Sequence, residues 1–156
     1  MASYFRQTRD VELSTIKYLS DSIAASWTGI TVVKSFPQDA SAALPVVAIY
    51  LTDIYPELRE IGSTTLINDY QISIDIFAKS DGQRLDLADF ILDKLRDPWT
   101  YYEVSHASGS TTLSYTSTAF GIRTVEYITN TKVDLGEAVE PYERFRHSMT
   151  INVRKT

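Results

Sequence analysis

Cysteine is absent from the 156 residues of this chain. That removes disulfides, thiolate nucleophiles and sulfur-ligated zinc, and fits a protein made and assembled in a reducing cytoplasm. Histidine is nearly absent. His106 lies in a Ser/Gly-rich stretch and His147 in the apolar phase of the last predicted strand, where a hydrogen-bonded structural role is expected. Neither has a second His or Cys at ligand spacing, so no transition-metal site is expected. The six glycines are scattered; they build no G-x-G-x-x-G dinucleotide turn, no phosphate loop and no G-x-S-x-G nucleophile elbow. No apolar run approaches the roughly 18 residues of a membrane span. The opening MASYFRQTRDVELS has no apolar core of the secretory type, so no signal peptide is expected.

Two further chemistries are excluded by spacing. The segment SDGQ (80–83) lacks the alternating Asp/Asn run and distal Glu of a calcium loop. A restriction-type nuclease needs an acid two residues before a strand lysine. Asp75 and Lys79 come near this, but Phe77 holds the required position, and no other lysine has an acid there.

What is present is an ordinary globular composition, 44% hydrophobic and 22% charged, in a chain long enough for one domain with a real core. No repeat or linker divides it, so residues 1–156 are expected to form a single domain. The net charge of −5 is uneven: from residue 144 onward the chain holds Arg144, Arg146, Arg154, Lys155 and no acid, whereas the remainder carries 11 basic against 20 acidic residues. An acidic body argues against general nucleic-acid wrapping. Its basic end could be solvated or could meet the acidic surface of another copy.

Leu13, Ile16, Leu19, Ile23 and Trp27 recur three or four apart, which predicts an amphipathic helix stopped near Gly29. ITVVKSFP (30–37) and PVVAIYL (45–51) predict short strands, the second with Pro45 at its first residue. The polar YPELREIGSTT (55–65) predicts a connection or hairpin tip. Residues 70–78 alternate strictly, predicting a strand with one buried and one more polar face. Ser80 and Gln83 then form a capping box for a second helix, with Leu85, Ala88, Ile91, Leu92 and Leu95 as its buried stripe and Pro98 at its end. Two or three strands are expected in 99–143, where the Tyr-rich WTYYEV adds a slight interface signal. A last strand runs from 144 to 154, with Arg144, Arg146 and Arg154 on its outer face. The fold class expected is α+β: a mostly antiparallel sheet with two amphipathic helices packed on one face.

The second helix also carries Asp86, Asp89, Asp93 and Asp97, within roughly 80° of one another and opposite the apolar stripe. Acid–base chemistry needs carboxylates that are crowded or partly buried. These are flanked by Lys94 and Arg96 and point away from the core, so no catalytic role is expected. A solvated face, an assembly surface and a channel lining remain open.

The succession of an amphipathic helix, PVVAIYL, a polar connection, YQISIDIFAKS, RLDLADFILDKL and the closing RFRHSMTINVRK resembles, over nearly the whole chain, the tail terminators of long-tailed bacteriophages, also called tail-completion proteins. The resemblance implies a virion protein, assembled in the host cytoplasm, with neither enzymatic activity nor a cofactor. It also implies a hexameric ring on the head-proximal end of the tail tube. Such a ring stops tube polymerisation, docks the head connector and lets DNA pass without sequence-specific binding. Related neck and minor tail proteins share similar small α+β folds, so a neck or head-completion adaptor or a minor tail protein at the head–tail interface is the alternative. With a ring in view, Asp86, Asp89, Asp93 and Asp97 become candidates for the channel wall or assembly surface, and Arg144, Arg146 and Arg154 for the contact between subunits.

Overall fold

A computed structural model describes residues 6–34, 44–62, 66–106, 112–133 and 145–156. In chain order the elements are α1 (Gln7–Ser26), β1 (Thr31–Lys34), β2 (Val46–Leu58), β3 (Leu66–Phe77), α2 (Asp81–Leu95), β4 (Trp99–His106), β5 (Leu113–Val133) and β6 (Arg146–Lys155). They form the α+β fold, with a six-stranded sheet in the order β1-β2-β3-β6-β5-β4. Every pairing is antiparallel except β1 with β2.

The local signals explain the centre of this sheet. Tyr70, Ile72, Ile74 and Ile76 of β3 are fully buried beside Met149, Ile151 and Val153 of β6, in a register that pairs Ile74 with Met149 and Ile72 with Ile151. These side chains meet both helices in one core. A smaller cluster of Val46, Ala48 and Phe77 lies on the opposite face. Ser80 caps α2 as expected: its Oγ accepts from Gln83 N at 3.1 Å, while Gln83 Oε1 accepts from Lys79 N at 2.9 Å.

Several expectations are corrected. β2 does not stop at residue 51 but runs to Leu58 against Leu66 of β3, so most of the expected connection is a hairpin arm that turns through Gly62 at φ +82. Pro56 is tolerated in this arm because it lies beyond the end of β1, on an edge with no strand neighbour among the described residues. The buried stripe of α2 is Arg84, Leu87, Ala88, Ile91 and Leu95. Leu85 is exposed and Leu92 half-buried. Arg84 enters the core because main chain meets it there: Nη1 donates to Val133 O (3.0 Å) and Arg146 O (3.1 Å), and its other nitrogens bond Asp81. His106 ends β4 opposite Leu113 instead of lying in a loop. Trp99 and Tyr101 of WTYYEV are core residues, with Trp99 stacked on Tyr18.

The buried face of α1 is also more polar than its leucine spacing implies. Leu13, Leu19 and Ile23 are buried, but so are Asp10, Glu12, Ser14 and Thr15. Ser14 Oγ accepts from Tyr102 N (2.9 Å) and donates to Tyr102 O (3.3 Å), Arg9 donates to Val104 O, and the Asp10 carboxylate accepts from Tyr101 OH. On the other flank Glu12 accepts from Leu51 N at 2.8 Å and pairs with Lys34. One helix therefore bonds the main chain of β4 and of β2, four places apart in the sheet. In a flat sheet these strands would be about 19 Å apart, against a helix about 10–12 Å across. The sheet must curl, bringing both of its borders to α1, whose polar side chains satisfy backbone groups that would otherwise be open for pairing.

Candidate functional site

Asp86, Asp89 and Asp93 lie on the exposed side of α2; Asp97, expected on the same helix, is also exposed but lies beyond its C-cap Arg96, because the helix ends at Leu95 ahead of Pro98. Asp93 makes one loose ion pair with Arg96, at 3.6 Å. Asp89 is close enough to His147 for its charge to favour protonation of that ring. Nothing crowds or buries the four as catalysis would require. Among the described residues, no group of three His, Asp or Glu converges as metal ligands would, and no helix is long and apolar enough to cross a membrane.

The basic outer face of β6 is engaged within the chain. Arg154 grips Asp69 of β3 with two bonds, Nε to Oδ1 at 2.6 Å and Nη2 to Oδ2 at 3.0 Å. Arg146 pairs with the fully buried Asp75 at 3.2 Å, and Asp75 also accepts from Tyr50 OH at 2.8 Å. Arg144 lies outside the described residues. Any acid from another copy must compete with these internal partners. The β3–β6 register that creates them joins residues 71 and 85 apart, which residue spacing could not reveal.

An exposed apolar surface lies instead on β5. Its first half pairs with β4 and its second half, from Ile122 on, with β6. Each half thus leaves one main-chain edge without a strand neighbour among the described residues. The strand is irregular in three places. Residues 118–120 face a single β4 residue, and Val125 and Ile128 are each bulged out of the ladder to β6. The irregularities carry large apolar side chains that stay exposed: Phe120 (51%), Val125 (37%) and Ile128 (42%). Bulges re-aim side chains and discourage flat edge-to-edge pairing. Here they also set a period of three, so that Thr124, Tyr127 and Asn130 all pair with the helix-side residues of β6. Thr124 and Tyr127 donate their hydroxyls to Leu95 O at the end of α2.

Between α2 and this part of β5 lies an open cleft of about 300 Å³, lined by Leu92, Arg96, Tyr127, Thr129, Asn130 and Met149. Asn130, one of the lining residues, bonds through its Oδ1 with the ring Nε2 of the buried His147. Burial and the nearby Arg84 charge hold that imidazole below its ordinary pKa, against the opposing pull of Asp89.

No model of a known protein family matches the chain, and no curated protein matches it.

Proposed function

We propose that this chain is a structural protein of a long-tailed phage virion, a tail terminator. Its hexameric ring caps the head-proximal end of the tail tube, stops polymerisation and gives the head connector its docking surface. The observation that carries this reading is the row of apolar side chains held in solvent on two long strands. Ile54, Tyr55, Leu58 and Ile61 are exposed on the β2–β3 arm, and Phe120, Val125, Tyr127 and Ile128 on β5. Surface of this kind suits protein–protein contact. The order of elements, shared with the resemblance, supports the same reading. The α2 carboxylates then have two candidate places: the channel wall, where like charge keeps DNA phosphates from adhering, or the boundary between subunits.

The test is to add the purified protein to its cognate tail tube protein during polymerisation and measure tube length by electron microscopy. Arrested growth with extra density at one tube end is the expected result. Tubes of unchanged length with bare ends overturn the proposal. Binding to the head connector but not to the tube identifies a neck adaptor instead.

A further inference from the structure

The tip of the β2–β3 arm carries exposed apolar side chains, and the α2–β5 cleft has a partly apolar lining; charged residues border both. At the tip Ile61 is completely exposed, at 106% of its reference area, and Leu58 is 59% exposed three residues earlier. Arg59 and Glu60 lie between them. The cleft offers Leu92, Met149 and the Tyr127 ring as an apolar lining, with Arg96 at its rim and Asp93 paired to Arg96. At about 100° per residue, Leu85, Asp89, Leu92 and Arg96 form one flank of α2, so exposed Leu85 and Asp89 continue the cleft's border. The same molecule thus carries an apolar knob flanked by one cation and one anion and, elsewhere, an apolar hole flanked by two anions and one cation.

The arm cannot fill its own cleft. Met149 is level with Ile74 of β3, and eight residues of extended strand, about 27 Å, separate Ile74 from Leu66 at the base of the tip. The knob is therefore available only to a different molecule.

We infer that the β2–β3 arm of one copy inserts Ile61 into the α2–β5 cleft of the next, with Glu60 meeting Arg96 and Arg59 meeting Asp93 or Asp89. Such a contact is heterologous: knob and hole are different surfaces, so copies add head to tail, and the rotation per copy decides between a closed ring and an open filament. The inference deepens the proposed ring and, as an account of its subunit boundary, rests on that reading. It places Asp89 and Asp93 between subunits and leaves Asp86, on the outer side of the helix, and Asp97, past its end, out of the contact.

The test is sedimentation velocity and native mass spectrometry of the full-length chain over a wide range of concentration and salt, with circular dichroism confirming the fold of each variant. The wild type is expected to self-associate. Ile61→Asp, in a fully exposed position, should weaken association on the order of thirtyfold or more. Leu92→Trp, which enlarges a side chain of the cleft's α2 wall, should do the same. Mixed together, these two variants should form a 1:1 dimer that grows no further, because each retains the half that the other lacks. Should the tryptophan disturb folding, Arg96→Glu replaces it: association is lost, then restored when combined with Glu60→Arg. Wild-type chains that stay monomeric at every concentration overturn the inference. So do variants that assemble like the wild type, the outcome expected of a cleft that takes a small apolar molecule instead. Tube length reads the terminator function independently, so a ring built through other surfaces would pass that assay while failing this one.

Discussion

β3 and β5 belong to one sheet and share β6 as a bridge, yet they solve opposite problems. β3 keeps a period of two from Tyr70 to Ile76 and buries one side chain in every pair completely; it is a central strand, and its other face is tied down by Asp69 and Asp75. β5 is 21 residues long, and Ile122 is its one buried residue. Its irregularities turn apolar groups outward. The comparison separates two uses of hydrophobic residues in strands. On β3 they stabilise the fold, each through area removed from water; on β5 they leave that area open for another surface.

Substitutions should expose this difference directly. The largest effect is expected from Ile74→Ala on β3, a buried large-to-small change that costs about 2–5 kcal/mol in urea or thermal unfolding. A loss below about 1 kcal/mol would show that the β3 core is loosely packed and weaken the contrast. Next is Ser14→Ala in α1, which strips both bonds from the Tyr102 main chain on the outer edge of β4, β5's neighbour. A cost of about 1–3 kcal/mol is expected, since a buried N–H is left unpaired. Faster amide exchange at Tyr102 should accompany it.

The third prediction concerns His147, which lies between the two strands, paired in register with Ile76 of β3 and bonded to Asn130 of β5. Its folded pKa is depressed, chiefly by burial and then by Arg84. On acidification the unfolded chain therefore takes up the proton first. The contribution to stability is fully present above about pH 6.5, the unfolded value, and is lost as pH falls through the lower folded pKa. Melting temperature should drop over that window, with β5 amides losing protection before those of β3. His147→Gln should flatten the pH response; an unchanged slope would assign it to other groups. The smallest effect is expected from Ile128→Ala on β5, within about 0.5 kcal/mol of wild type for the isolated chain. A cost comparable to Ile74→Ala would mean that Ile128 is a core residue and remove the distinction between the strands.

Much of the fold was legible because its signals are local. The α2 cap needs only Ser80 and Gln83 three residues apart, and β3 needs only alternation between neighbours. Where the reading missed, distant partners had decided. Arg84 could not be recognised as buried, because the carbonyls that satisfy it belong to Val133 and Arg146. Asp10, Glu12 and Ser14 are buried because the curled sheet brings two strand edges to α1, which no spacing within the helix reveals. The candidate site was legible in part. Asp86, Asp89 and Asp93 are exposed as their helical phase implies and Asp97 lies past the helix end, but no local pattern marks the cleft beside them or the internal pairing of Arg146 and Arg154. In β5, Thr124, Tyr127 and Asn130 recur every third residue, a spacing that also fits a helical face, and only the bulges at Val125 and Ile128 place it on a strand.

The sequence by itself determined the elements at the centre of this protein, their buried faces, the capped second helix and the exposure of its acidic row. Periodicity and capping depend on residues within a few positions of one another. Only the tertiary structure decided which charges neutralise one another, where bulges interrupt β5, how α1 seals the curled sheet, and that an exposed isoleucine and an apolar cleft occur on one molecule. Each of these depends on the register between segments tens of residues apart. Register is set by the summed packing of whole strands, which no short stretch of the chain contains.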